Sequence, residues 1–210
     1  MSAECRVTRV GDTELAERLA AMLGGHPAVA SVELTGSRAR GEATELSDWD
    51  FKVETRYFRA VAEALPEVVA PLEPLAQQWD RLSPHACYML MLRGIGKVDL
   101  IFDEPWESSP PWTVSAETLR GIDDHFWDWI IWLAAKDRAG KRGLVQAELE
   151  KMHTHLLGPL GVAGIPASIE QAISEYASAL HGAEGQLRVT VPGEIERQVR
   201  ERLAAHGYAV

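Results

Sequence analysis

The feature that most constrains this chain lies in residues 36–51, where a glycine turn is followed by two closely spaced aspartates. An apolar run, residues 29–34, leads into Gly36, and Asp48 and Asp50 stand in a second strand-like segment. Successive side chains of a strand point to opposite faces, so these two carboxylates share one face. Adjacent carboxylates repel each other unless a cation lies between them, and Mg²⁺ commonly bridges carboxylates to substrate phosphates. The segment therefore predicts chemistry on a nucleoside triphosphate.

A third carboxylate is expected from a later hairpin. Residues 86–103 contain two apolar runs separated by the turn of residues 94–96, and Asp99 interrupts the second run. A charged residue inside such a strand is costly unless it is paired or bound to metal. An edge-strand aspartate that faces solvent is the alternative. We predict that Asp99 is the third metal ligand, because clustered carboxylates are what the chemistry requires.

The joined pattern resembles the nucleotidyltransferase superfamily named after DNA polymerase beta. Small members carry Gly-Ser-X-Ala-Arg-Gly, a spacer, and then Ser-Asp-X-Asp followed by an apolar residue. The matching positions in this chain are Gly36, Ser37, Ala39, Arg40, Gly41, Ser47, Asp48, Asp50 and Phe51. The resemblance implies a metal-dependent adenylyltransferase in which Asp48, Asp50 and Asp99 hold two Mg²⁺ ions and ATP is the donor.

The same motif predicts where the nucleotide binds. Backbone N–H groups at Gly36 and Ser37, at the start of a helix, suit a triphosphate, and the Ser37 hydroxyl can add a hydrogen bond. Arg38 and Arg40 are candidates for phosphate contact, with surface pairing to a neighbouring glutamate as the alternative. Ser47 is the last nucleotide-binding candidate, although ordering of its turn is the stronger expectation.

Composition limits the partners. The chain has 210 residues, of which 46% are hydrophobic, so it is long enough to bury a core. No signal-like segment and no membrane-length apolar run occurs, and two cysteines give no disulfide framework, so we expect a cytoplasmic protein without a membrane partner. The net charge of −10 and the lack of a large Lys/Arg cluster argue against nucleic acid and favour a small neutral or cationic acceptor.

The pattern of elements predicts an α+β fold: a small mixed β-sheet core flanked by helices, followed by an α-helical C-terminal domain. We predict a nucleotidyltransferase domain over residues 1–108 and a helical domain over residues 109–210, with prolines marking the linker. The predicted strands are 29–35, 48–54, 76–82 and the hairpin 86–103. The predicted helices are 12–24, 56–69, 116–137, 143–158, 167–182 and 192–206.

One helix of the C-terminal half carries candidates for acceptor binding. Residues 125–133 are apolar nearly all round, which predicts a buried helix. Core packing is the favoured interpretation for its aromatic residues, and the alternative places Trp127 against a ring of the acceptor or the base. Asp124 and Asp128 lie one turn apart, so one of them can serve as a general base or bind an acceptor amine, unless the pair is simply a solvated face.

The C-terminal half is also similar to the helical domains of aminoglycoside and lincosamide nucleotidyltransferases. The shared order is an aromatic helix, Lys136, and then Arg142 and Gly143 at the start of the next helix. That group often has an acidic residue directly after Arg-Gly, whereas this chain has Leu144 there and Glu148 one turn later. Glu148 is therefore a further acceptor-binding candidate.

Three functions remain open from the sequence. The first is nucleotidyl transfer to a hydroxyl of a small molecule, with an antibiotic of the aminoglycoside or lincosamide type as the suggested acceptor. The second is an antitoxin-type enzyme that adenylylates a protein, although such minimal enzymes usually lack a long helical domain. The third is a nucleotide-binding regulatory module without catalysis, which the presence of all three carboxylates disfavours.

Overall fold

A computed structural model describes residues 8–94 and 96–210, with side chains described from residue 14 onwards. Residues 1–7 of the predicted first domain and the turn residue Ile95 lie outside the described residues. The elements in chain order are α1 (Thr8–Gly24), β1 (Val29–Thr35), α2 (Gly36–Ala39), β2 (Trp49–Thr55), α3 (Phe58–Val69), β3 (Ala76–Trp79), β4 (His85–Leu92), β5 (Gly96–Pro105), α4 (Leu119–Arg138), α5 (Arg142–Met152), α6 (Ile169–Leu187) and α7 (Glu194–Ala205).

The five strands form one mixed sheet in the order β1-β2-β5-β4-β3. Only β2 and β5 run parallel among the described pairs, and this pair sets Asp50 directly opposite Asp99. The strands β4 and β5 form the predicted antiparallel hairpin. A parallel pair needs a long crossover, which here contains α3, β3 and β4 and returns the chain to the centre of the sheet. Residues far apart in sequence therefore meet on neighbouring central strands.

The two faces of the sheet have different partners. On one face, Phe51, Leu100 and Phe102 pack with the apolar residues of α1 and α3, such as Leu19 and Leu65, in one hydrophobic cluster. A second cluster unites the buried residues of α4, α5, α6 and α7 with a few side chains from the sheet half, such as Met91. The first face is closed by helices of the N-terminal half. The second face carries the acidic side chains and meets α4.

The α+β prediction is confirmed, with the mixed sheet in the first half and four long helices in the second. The predicted boundaries differ by a few residues, as at β3, which ends at Trp79, and α5, which continues as a π-helical turn over His153–Leu157. No helix in the described part of the chain combines the length and the apolarity needed to cross a membrane. The division at residue 108 stays a prediction.

Candidate active site

Three carboxylates meet at one end of the parallel pair β2 and β5. Asp50 and Asp99 are paired in register, and Asp48 lies one residue before β2. One carboxylate oxygen from each residue can be chosen so that the three atoms lie within 4.8 Å of one another. Trp49 and Phe51 are only 4% and 1% exposed because they point to the opposite, apolar face. Strand alternation thus separates the acidic face from the core face within four residues.

The cluster holds more negative charge than its surroundings compensate. Burial and, to a smaller extent, repulsion from Asp48 and Asp99 together raise the pKa of Asp50 to about 6. Three carboxylates in this arrangement fit a hard divalent cation with oxygen ligands, which would relieve the repulsion. Asp48, Asp50 and Asp99 are therefore the residues that would hold metal.

The motif turn lies in direct contact with this cluster. Gly36 has a φ of +67°, a conformation that favours glycine, and a Cβ built on it would overlap Oδ2 of Asp50. The glycine is therefore required both by the backbone conformation and by the close approach of a metal-site carboxylate. Helix α2 begins here but has only four residues, and Ser37 is partly exposed within it.

The other motif residues lie around the loop that leads to Asp48. Arg38 donates from Nε to the backbone oxygen of Asp48 (3.0 Å) and from Nη2 to that of Ser47 (2.8 Å), while its guanidinium stacks on Trp49 at 4.1 Å. The Ser47 hydroxyl accepts a hydrogen bond from the backbone N–H of Thr44 at 2.9 Å. These contacts order the loop.

Arg40, by contrast, forms a salt bridge with Glu42 at 2.8 Å, with both side chains more than 60% exposed. This is the surface pairing that the sequence left as an alternative for the arginines. An exposed pair of this kind contributes little to stability.

Helix α4 brings a lysine to the metal site. Lys136 Nζ lies 4.0 Å from Oδ2 of Asp48 and 4.8 Å from the centre of the Trp132 ring. Its positive charge also lowers the pKa of Asp50, against the larger effect of burial. The sequence placed Lys136 in the aromatic helix and offered no site role for it.

A buried ion cluster connects the metal site with α4. Lys97 Nζ donates to Oδ1 of Asp99 (2.7 Å) and to both carboxylate oxygens of Asp128 (2.8 and 2.9 Å). Burial opposes the charge of Lys97, yet Asp128 and Asp99 together raise its pKa well above the usual value. Burial raises the pKa of Asp128 to about 7, although Lys97 acts against it. Asp128 is thus in contact, through one ammonium group, with the third carboxylate of the metal site.

A cavity of about 240 Å³ opens beside this ion cluster. Charged and aromatic side chains dominate its lining. The lining includes the acidic residues Asp80, Asp99, Asp128 and Glu148, the basic residues Lys97 and Lys151, and the aromatic residues His125, Trp129 and Trp132. Trp129 Nε1 donates to Oε2 of Glu148 at 3.0 Å, so the indole and the carboxylate hold each other in place. The cavity reaches from the metal site to the helical half of the chain.

Of the four acceptor-binding candidates, two line this cavity and two do not. Asp128 and Glu148 lie in its wall. Trp127 is completely buried and donates from Nε1 to Oδ1 of Asp123 at 2.9 Å, which agrees with the core-packing interpretation. Asp124 lines a separate cavity, where Arg120 is 3.9 Å away. Asp124 and Asp128, the two candidate aspartates of α4, therefore have different surroundings although they are one turn apart.

His125 is a cavity residue that sequence reasoning did not select. Burial lowers its pKa to about 4, so its imidazole is neutral near pH 7. Its ring lies 5.4 Å from that of Trp129, and its buried Nδ1 has no hydrogen-bond partner among the described residues. Its position in an apolar helix gave no signal of this placement.

Comparison with known proteins finds a family model that matches part of this chain. Residues 13–81 match the family model described as nucleotidyltransferase domain. The predicted resemblance to nucleotidyltransferases is confirmed. The matched range includes Gly36, Asp48 and Asp50 and ends before Asp99. Asp99 lies beside these residues because β5 pairs with β2, opposite Asp50. No curated protein sequence matches the chain.

Several solved structures are similar to this chain. A cytoplasmic RNA terminal U-transferase matches with a TM-score of 0.40 and 16% identity over 47% of this chain and 30% of that chain. A poly(U) polymerase matches with a TM-score of 0.36 and 17% identity over 46% and 31%. An aminoglycoside 6-adenyltransferase from Bacillus subtilis matches with a TM-score of 0.31 and 10% identity over 92% and 98%. The matched part spans about a third of the first two of these proteins, and none of the three identifies an acceptor for this chain.

Proposed function

We propose that this protein is a metal-dependent nucleotidyltransferase that moves AMP from ATP to a hydroxyl of a small molecule and releases pyrophosphate. The observation that carries the proposal is the set of three carboxylates within 4.8 Å of one another, in contact with the Gly36 turn. Such clusters suit phosphoryl chemistry because Mg²⁺ binds carboxylates and substrate phosphates together. The match to the nucleotidyltransferase domain supports the same reaction.

In the proposed reaction, the acceptor hydroxyl oxygen attacks the α-phosphorus of ATP. The bond from the α-phosphorus to the bridging oxygen of the β-phosphate breaks, and pyrophosphate leaves with that electron pair. Metal held by Asp48, Asp50 and Asp99 would make the hydroxyl more acidic and offset the charge of the leaving group. The hydroxyl proton passes to a carboxylate, for which Asp128 is our candidate because it lines the cavity and burial raises its pKa to about 7.

The triphosphate is expected to lie against the motif turn. Backbone N–H groups of Gly36 and Ser37 and the Ser37 hydroxyl are available as donors at the start of α2. Lys136 adds a positive charge close to Asp48, which favours a negatively charged donor beside the carboxylates. Arg38 and Ser47 support this function indirectly, through the loop contacts that fix Asp48. Arg40 is the weakest of the nucleotide-binding candidates because Glu42 already pairs with it.

The cavity favours a small acceptor that carries amines. Four carboxylates and two ammonium groups line it, which gives a formal charge of −4 + 2 = −2. Trp129 and Trp132 offer ring faces, on which cations bind favourably. The net charge of −10 for the whole chain disfavours a polyanionic acceptor such as RNA. An aminoglycoside- or lincosamide-like antibiotic meets these requirements, and resistance by modification would be the consequence.

The test combines an acceptor screen with site variants. Labelled ATP, GTP, CTP and UTP are incubated with aminoglycosides and lincosamides, and transfer is followed by mass spectrometry of the acceptor. We expect transfer from ATP that is abolished in Asp48→Asn and Asp50→Asn, with both variants folded by circular dichroism. Glu54→Gln, on the exposed part of β2, is the matched control and should retain activity.

Each outcome has a distinct meaning. Normal turnover of ATP by either aspartate variant would show that the carboxylate assignment is wrong. Transfer to a protein in place of a small molecule would favour the antitoxin-type function. No transfer to any acceptor, with nucleotide still bound, would favour the regulatory module.

A further inference from the structure

Helix α7 presents one polar stripe and one apolar stripe, each with a repeat of four residues. Ile195, Val199 and Leu203 are at most 3% exposed and belong to the hydrophobic cluster of the helical half. Glu194, Gln198, Arg202 and His206 form the polar stripe, the last of them directly after the helix. Residues four apart lie on the same side of a helix, so this stripe meets a single surface.

That surface is the turn between β4 and β5. Gln198 accepts a hydrogen bond from the backbone N–H of Gly94 at 2.7 Å and donates to the backbone oxygen of Leu92 at 3.0 Å. Glu194 forms a salt bridge with Arg93. Gln198 therefore binds the backbone of this turn, and Glu194, one turn earlier on α7, binds its Arg93 side chain.

Arg202 connects this turn with the loop that leads to Asp48. Its Nη2 donates to the backbone oxygen of Glu45. Its guanidinium also lies against Gly96, where an added Cβ would overlap Nη1. Gly96 has a φ of +100°, so both its conformation and the arginine require a glycine. One side chain thus contacts the start of β5 and the loop before β2.

The two segments that Arg202 joins carry the metal-site carboxylates. Gly96 stands three residues before Asp99 on β5, and Glu45 stands three residues before Asp48. The same loop receives the two hydrogen bonds from Arg38, so two guanidinium groups hold its backbone. His206 Nε2 lies 3.3 Å from Oε2 of Glu45.

We propose that α7 is a positioning element of the metal site, in which Arg202 sets the Asp48 loop relative to the start of the Asp99 strand. This inference rests on the proposed function. In this role Arg202 acts through the backbone that carries two ligands. Partners that orient ligands are needed because carboxylates that repel each other hold their geometry only when their supports are rigid.

Metal affinity tests this role independently of turnover. Mn²⁺ binding to the full chain is measured by the electron paramagnetic resonance signal of the free ion, and thermal unfolding is recorded for the same samples. We expect Arg202→Met to weaken Mn²⁺ binding about tenfold, as is typical when supports of metal ligands are lost. The direction is informative, because loss of a positive charge near carboxylates would by itself strengthen cation binding.

Arg197→Met is the control, since Arg197 lies on the same helix, is 58% exposed and pairs with Glu201. It removes the same charge and should leave Mn²⁺ affinity unchanged. Gln198→Ala is the milder variant, in case Arg202→Met does not fold, and we expect it to weaken binding about threefold. Unchanged Mn²⁺ affinity in folded Arg202→Met or Gln198→Ala would overturn the positioning role alone. A wild-type protein that binds no Mn²⁺ would overturn the proposed function and this inference with it.

Discussion

Replacement of Lys97 by methionine should reveal how strongly the sheet depends on one buried ammonium group. The side chains of Lys97, Asp99 and Asp128 are only 6%, 11% and 6% exposed, and the ammonium lies within 2.9 Å of both carboxylates. Methionine preserves the volume of the stem but leaves two buried carboxylates without a counter-ion. Removal of one partner from a buried ion pair costs about 3–5 kcal/mol, and we expect a loss in this range near pH 8.

The loss should depend on pH in a defined direction. Burial raises the pKa of Asp128 to about 7 in the folded protein, above the value for an unfolded chain. A group with a raised folded pKa stabilises the protein below its unfolded pKa, and this contribution disappears as pH rises through the folded pKa. Without Lys97 the carboxylates take up protons more readily, so the deficit of Lys97→Met should be smaller near pH 5.

Urea unfolding followed by tryptophan fluorescence measures both quantities. Lys52→Met is the matched control, because Lys52 pairs with Glu54 at 3.2 Å in an exposed position. Its free energy of unfolding should stay close to that of the wild type, because an exposed ion pair contributes little to stability. The reasoning is refuted if Lys97→Met loses less than about 1 kcal/mol near pH 8, or loses the same amount at both pH values.

Three further predictions concern the metal-site carboxylates. Asp50→Asn should stabilise the metal-free protein near pH 8 by about 1–2 kcal/mol, which is less than the pKa shift to about 6 implies because Asp50 is partly exposed. The gain should nearly vanish near pH 3, where wild-type Asp50 is largely protonated in both the folded and the unfolded state, and equal gains at both pH values in urea unfolding would contradict this. The Mn²⁺ affinity of the wild type should fall about tenfold from pH 7 to pH 5 as Asp50 takes up a proton. Calorimetric titrations that give the same affinity at both pH values would contradict this dependence on Asp50. Gly36→Ala should abolish Mn²⁺ binding because its Cβ displaces the Asp50 carboxylate. Gly41→Ala is the control: Gly41 has a similar φ of +71° but open space around it, so this variant should only lower the unfolding temperature. Equal Mn²⁺ affinity in the two variants would show that the contact between Gly36 and Asp50 is unimportant.

The sheet and the carboxylate cluster could be predicted because their signals are local. Alternation in residues 48–51 separates acidic from apolar side chains, and glycines mark the turns on either side. The apolar character of residues 125–133 likewise predicts a buried helix, and Trp127 is completely buried. These inferences need only the period of a strand or helix. They do not need to know which element lies opposite.

Such patterns could not predict the contacts between the N-terminal and C-terminal halves of the chain. The ion pair of Lys97 and Asp128 joins residues 31 apart in sequence, and the bond from Arg202 to Glu45 spans 157 residues. A charged residue in an apolar strand indicates that a partner exists but gives no information on its identity. The partner depends on how α4 and α7 dock on the sheet, which is decided by packing of the whole apolar surface.

Helix α4 shows why no single pattern in its sequence could reveal its roles. Asp123 faces the helical core, where it accepts hydrogen bonds from Trp127 and from Tyr176 at 2.6 Å. Asp128 faces the sheet through Lys97, and Lys136, about 12 Å further along the helix axis, reaches Asp48. One helix therefore supplies an anion near Asp99 and a cation near Asp48. Because the same residue types serve the core on one side and the carboxylate cluster on the other, only the docking of the helix assigns each charge its function.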